Sequence, residues 1–365
     1  MKGFSDMKTR INLYHELFAD NEKVLVSNED FTVSSFKYST GVEAVRLKNK
    51  HGYVVLLPYM GQMIWEMEFL GHDMVMKSIY DEPEICCDTY GESYGCFLMH
   101  CGLTAMGNPT SADTHKPHGE LPIAKYKEAF IIVGEDERGP YVSLSGVYSH
   151  KRCFELNYDF SPECRLYADA TTIDMNVSFT NNKDLPLEYF YLCHINYRPV
   201  DGAKLLYTAK HENIVAHHEV PEGYHAADKT NAYLDRLDKD ASIMDTVDSK
   251  TQSYAPEIVF TCKYDADKDG NAHTLEILPD GYSCYVRHRP EELPFGIRWI
   301  ARTVDEDAMG MVLPATAEHK GYLYCKKRGL EKYLAPGKTM VFHMTTGILT
   351  PEETAKKVEI IKNTK

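Results

Sequence analysis

From Ile173 to Thr180 the chain alternates strictly: Ile173, Met175, Val177 and Phe179 are apolar, while Asp174, Asn176, Ser178 and Thr180 are polar. That period of two is the mark of a half-buried strand. Asn181-Asn182 is a turn signal, and Leu187 to Tyr197 follows as an aromatic-rich strand. The two runs read as a hairpin. Further strands are expected at Tyr53–Leu57, Ile131–Val133, Tyr141–Tyr148, Ile258–Tyr264, Tyr282–Arg287, Met309–Leu313 and Met340–Ile348, with Pro279-Asp280-Gly281 as a turn between two of them. Helical signals are few. Thr350-Pro351-Glu352-Glu353 is a helix start, with a hydroxyl cap, proline at the first position and glutamate at the third; it predicts a helix over 350–365. A second helix is expected in the N-terminal extension over 1–20, from Met7 to Asp20. Strands without regular intervening helices exclude a parallel α/β sheet and indicate an all-β antiparallel sandwich.

The chain has 365 residues, which would allow about two domains, although all-β units run longer. Without an internal repeat or a Gly/Ser linker, a single domain over 1–365 is expected. The stretch from Pro221 to Tyr254 is polar and reads as a long surface excursion, its acidic part from 228 to 249 as a solvated face. With 40 basic and 54 acidic side chains, the net charge is −14. That balance argues against nucleic acid and anionic membrane as partners and suits a neutral small molecule. The N-terminal residues have no apolar signal region, and no run approaches the roughly 18 apolar residues of a membrane span; a cytoplasmic protein is expected. Ten cysteines occur. Cys193, Cys262, Cys284 and Cys325 sit in apolar runs, where a reduced thiol packs as a small core residue. Neither Cys86-Cys87 nor Cys96/Cys101 has zinc spacing.

Two stretches carry chemistry: His118-Gly119-Glu120-Leu121-Pro122 and His194-Ile195-Asn196-Tyr197. Imidazole is the side chain best suited to move a proton near neutral pH. A histidine in an apolar strand, such as His194, is also at home as a hydrogen-bonded core residue; His118, between proline and glycine, has a loop context that would leave its ring accessible. His100 could contact a ligand or pack. Trp299 beside Arg298 offers an aromatic face and a guanidinium suited to a sugar's C–H face and hydroxyls. Asp265-x-Asp267-x-Asp269-Gly270 with Glu276 fits a calcium-loop pattern, but strands rather than helices flank it, so an acidic hairpin turn is expected. His115-x-x-His118 and His217-His218 are short of a carboxylate partner, and no metal is expected.

Taken in order, Val55 to Trp65, Leu98-Met99-His100-Cys101-Gly102-Leu103, the His118 and His194 stretches, and Leu313-Pro314-Ala315-Thr316 resemble an uncharacterised bacterial branch of the galactose mutarotase-like superfamily, the aldose 1-epimerases. The resemblance implies a β-supersandwich with a sugar in a groove, and cofactor-independent ring opening by a carboxylate base and a histidine acid. It implies His194 as the acid, His118 as the second imidazole, and Asn196 as a hydroxyl partner. His100, Arg298, Trp299 and Glu120 complete the expected substrate contacts. Where relatives carry the glutamate base, this chain has Leu313. The expected substitute is Glu318, because Pro314 breaks the strand parity that would otherwise turn it away; Glu120 is the other candidate. The alternatives are a non-catalytic sugar-binding protein, or a different sugar isomerase or lyase. A homodimer is compatible with all three.

Overall fold

The computed structural model describes residues 8–86, 88–219, 228–250 and 257–364. Two antiparallel sheets make the frame. The first has nine strands, in the order β1 (Lys8–Asn12), β9 (Glu128–Asp136), β10 (Gly139–Arg152), β11 (Leu156–Tyr167), β12 (Thr172–Asn181), β22 (Thr339–Leu349), β18 (Ser283–His288), β17 (Ala272–Ile277) and β14 (Lys204–Tyr207). The second has thirteen. Its main path runs β15 (Ala209–His217), β16 (Ile258–Tyr264), β19 (Phe295–Arg302), β20 (Asp307–Ala315), β13 (Leu187–Ile195), β8 (Leu98–Leu103), β6 (Ile64–Phe69), β5 (Gly52–Leu56), β4 (Glu43–Asn49), β3 (Thr32–Lys37) and β2 (Lys23–Ser27). The short β7 (His72–Asp73) pairs with β6, and β21 (Lys332–Leu334) with β13.

Alternation decides which side chains meet between the sheets. On β12 the apolar set Ile173, Met175, Val177 and Phe179 is buried while its polar neighbours are half-exposed. β13 is buried along almost its whole length, so both of its faces are covered. Tyr191 points into the sandwich, stacked on Phe342 of β22 with ring centroids 5.2 Å apart. Leu192 and His194 therefore look out of the other face. β12 and β13 do not form the expected hairpin. They are consecutive in the chain but belong to opposite sheets, and the turn between them, where the Asn181 carboxamide donates to the Leu185 and Leu334 carbonyls, carries the chain across the sandwich.

The expected strands all form, as does the C-terminal helix α3 (Pro351–Thr364), capped reciprocally by Thr350 and Glu353. The N-terminal helix does not form over residues 8–20, and residues 1–7 lie outside the described residues. Residues 8–12 extend the first sheet as β1, and only a single 3-10 turn, His15–Leu17, follows. The acidic stretch is also more than a solvated face: α1 (Asp228–Leu237) buries Thr230, Tyr233, Leu234 and Leu237, and a 3-10 turn buries Met244. Of the surface excursion from Pro221 to Tyr254, residues 221–227 and 251–254 lie outside the described residues. A six-residue helix, α2 (Tyr322–Lys327), follows β20. Among the described residues no helix is long and apolar enough to cross a membrane. Cys193, Cys262, Cys284 and Cys325 are buried and unbridged, as are Cys96 and Cys101; Cys87 lies outside the described residues.

Candidate active site

On the face of the second sheet turned away from the sandwich interior, four neighbouring strands enclose a cavity of about 160 Å³. Its floor is aliphatic: Val259 from β16, Ile297 from β19, Leu313 from β20 and Leu192 from β13. His194 rises from β13 at one side, and Glu257, one residue before β16, at the other. Trp299 of β19 stands between them. Loops close the rest: Tyr90 and Tyr94 from the segment before β8, Asn108 and His118 from the β8–β9 connection, and His319 after β20.

His118 and His194 meet here. Their ring centroids are 5.3 Å apart with perpendicular planes, and Trp299 lies 5.3 Å from His194 on another side. Tyr90 packs edge-on against His118 at 5.4 Å. Local backbone explains how a loop holds an imidazole so firmly. Gly102 of β8 donates its N–H to the His118 carbonyl, and its own carbonyl accepts from the N–H groups of Glu120 and Leu121. His118 and Gly119 both have positive φ, +59° and +78°. At Gly119 a Cβ would stand 2.3 Å from the Ala105 carbonyl oxygen, so only glycine fits. The His118 ring is less accessible than its loop context suggested, only 8% exposed, and its Nδ1 has no hydrogen-bond partner among the described residues.

The environment keeps all three cavity imidazoles neutral. Burial pulls His194 down to about 4, against the opposing hydrogen bond to Asn196. Burial, then the neighbouring His194, His319 and His115, holds His118 well below the usual histidine range. Burial likewise takes His319 to about 3. Glu257 moves the other way: burial raises its carboxyl, opposed by the hydrogen bond that the Trp299 indole N–H donates to it.

Several expected contacts belong elsewhere. Asn196 is fully buried and spends its carboxamide internally: Oδ1 accepts from His194 Nδ1 (2.7 Å) and from the Tyr94 hydroxyl (3.1 Å), and Nδ2 donates to the Cys96 carbonyl (2.9 Å). It orients His194 and does not itself line the cavity. His100 pairs across the ladder with Cys193, so it shares that residue's side of the sheet and not His194's; it hydrogen-bonds Tyr191 and packs on Phe160. Arg298 pairs with Phe260 and points into the sandwich, its guanidinium 4.4 Å from the Tyr207 ring. Adjacent strand residues face opposite ways, so Trp299 reaches the cavity and Arg298 cannot. Glu120 is held by the Thr104 amide and hydroxyl and by the Tyr158 hydroxyl, and borders a separate groove. Glu318 accepts from the Tyr324 hydroxyl at 2.8 Å and faces Arg328, outside the cavity wall. Both glutamates proposed to replace the base are thus engaged away from the imidazoles, whereas Leu313 does look into the cavity.

Glu257, Tyr90, Tyr94, Asn108 and His319 were not singled out from sequence. Glu257 had a readable signal, because it lies two residues before Val259 and so shares the face of that strand. The loop residues had none. Of the residues in the metal patterns, Asp267 accepts from His273 at 2.8 Å, and His115 uses one ring nitrogen on the Lys116 carbonyl and the other on the Tyr322 amide.

Residues 39–348 match the family described as Domain of unknown function (DUF4432). The chain belongs to that family. The fold of this DUF4432 chain is that of galactose mutarotase-like proteins. A candidate aldose 1-epimerase from Klebsiella pneumoniae superposes with a TM-score of 0.78 at 17% identity, over 98% of this chain and 91% of that one. A galactose mutarotase-like protein from Clostridium acetobutylicum does so with 0.59 at 12% identity, over 88% and 100%. No curated protein matches the chain.

Proposed function

We propose that this protein is a carbohydrate isomerase of the aldose 1-epimerase type, which opens and recloses the ring of an aldose or a modified sugar without a cofactor. The observation that carries the reading is the convergence of His118 and His194 on one cavity that also holds the Glu257 carboxyl and the Trp299 face. Ring opening needs one group to take the anomeric hydroxyl proton and another to protonate the ring oxygen. An imidazole on one wall and a carboxyl on the opposite wall supply such a pair, and an aromatic side chain between them suits the C–H face of a pyranose. The aldose 1-epimerase and mutarotase-like descriptions of the structural relatives agree with this chemistry. Such a protein would act on a soluble sugar in the cytoplasm.

Anomer exchange followed by NMR across a panel of neutral aldoses and deoxy sugars tests the reading. Acceleration on at least one sugar, abolished by His194→Gln, is the expected result, and no acceleration on any of them would overturn it. A second reading, sugar binding without turnover, draws on Leu313: an aliphatic side chain fills the place where the resemblance put a base. Measurable sugar affinity with no exchange would favour it.

A further inference from the structure

The hydrogen-bond chain behind His194 fixes where its lone pair sits. The Cys96 carbonyl can only accept, so the Asn196 group 2.9 Å from it is the NH2, and the carboxamide oxygen is the atom that faces His194 Nδ1 at 2.7 Å. The Tyr94 hydroxyl donates to that same oxygen. An acceptor-only atom there requires the hydrogen on Nδ1, which leaves Nε2 of the neutral ring as an acceptor. No anionic side chain in contact with the ring holds the imidazolium, and burial outweighs the one contact that favours it, the Asn196 hydrogen bond. The ring's orienting partner is a neutral carboxamide rather than a carboxylate, and a second imidazole, His118, stands 5.3 Å away. The charge-bearing or titratable side chains lining the cavity are Tyr90, Tyr94, His118, His194, Glu257 and His319; among the described residues no lysine or arginine joins them. Glu257 therefore has no cation to hold it as a carboxylate. It sits on the far wall, three strand spacings from β13 in the order β16-β19-β20-β13, roughly 14 Å at the backbone.

Resting on the ring-opening reading, we propose that the proton roles implied by the family resemblance are exchanged in this chain: His194 Nε2 is the proton acceptor, and the Glu257 carboxyl group is the donor. In the forward step, Nε2 takes the anomeric hydroxyl proton as O1 becomes a carbonyl oxygen. The C1–O5 bond breaks, and O5 takes the carboxyl proton of Glu257, leaving an imidazolium and a carboxylate. After rotation about C1–C2, O5 adds back to C1. The O5 proton then returns to Glu257, and the imidazolium proton goes to the carbonyl oxygen. Both side chains end as they began. Leu313 ceases to be a defect on this account, since no carboxylate base is required on β20. The neutral resting state is the one that burial favours for both groups.

The test begins with the wild-type protein labelled with 15N at histidine, with the His194 signals assigned by comparison with His194→Gln. At pH 7 we expect a neutral ring with a protonated Nδ1 and a bare Nε2. An imidazolium, or a proton on Nε2, would overturn the assignment whether or not any sugar turns over. In kinetics, Glu257→Gln should lower anomer exchange by about 100-fold, the loss typical of a removed general acid, and should delete a carboxylic-acid C=O infrared band seen in the wild type at pH 6. Asn196→Asp, which stabilises the imidazolium, should slow exchange at pH 7; faster exchange would identify His194 as the donor. Turnover with an imidazolium overturns these roles alone. Absence of turnover on every sugar overturns the ring-opening reading, and that shows in the wild type before any variant is made.

Discussion

Gly119 positions more of the cavity than its missing side chain suggests. Its φ of +78° and the carbonyls of Ala105 and Gly102, 2.3 and 2.4 Å from where a Cβ would stand, leave no room for alanine. Gly119→Ala should cost on the order of 1–3 kcal/mol of stability and tilt the His118 ring next to it; urea unfolding and the His118 NMR signals measure the two effects. At this scale the sequence was half legible. His118 and His194 could be placed at a candidate site through the family resemblance, since each also had a packing use in its context, and Trp299 through the aromatic face it offers a sugar. Asn196, His100, Arg298, Glu120 and Glu318 were misplaced for one common reason. Composition near a motif says which groups are close in the chain, whereas strand parity and local hydrogen bonds decide which way each one points.

Among the elements, periodicity identified strands and their faces but not their partners. β12 and β13 looked like a hairpin because a turn separates them, yet a chain can equally use such a turn to change sheets. α1 was hidden because its buried residues, Tyr233, Leu234 and Leu237, are sparse among charges. β17 offers a test of how well the sheets exclude water. Its Glu276 is fully buried; one oxygen accepts from the Val200 amide at 3.0 Å, and burial raises its pKa from 4.5 to about 8. The folded state thus holds this proton more tightly than the unfolded chain does. The stability Glu276 contributes is full below the unfolded value and drains away as pH rises through the folded one. The Glu276 share of the unfolding free energy should therefore fall by a few kcal/mol, on the order of 1.36 kcal/mol per pKa unit, between about pH 5 and pH 8, against the rise that the buried neutral histidines give as pH climbs to their unfolded value of 6.5. Glu276→Gln should flatten that slope in parallel denaturant titrations.

For the whole molecule, a sandwich of two antiparallel sheets was readable because strand signals were dense and helical ones few. The way the loops roof the cavity was not, since it depends on contacts between segments far apart in the chain. The net charge of −14 and the absence of lysine and arginine from the described cavity wall act together. An anionic sugar phosphate would meet repulsion outside and no counter-charge within. The KM for a neutral sugar should accordingly stay constant as ionic strength rises, and sugar phosphates should be far poorer substrates at low salt. Steady-state kinetics at two salt concentrations checks both.

Val259, Ile297, Leu313 and Leu192 together present a surface with no hydrogen-bonding atom on any side chain. An axial hydroxyl pressed onto it would lose its water and gain nothing in exchange. Such a bed selects its guest by what one side of the ring lacks, so the preferred stereoisomers would share a bare underside while differing freely along the rim.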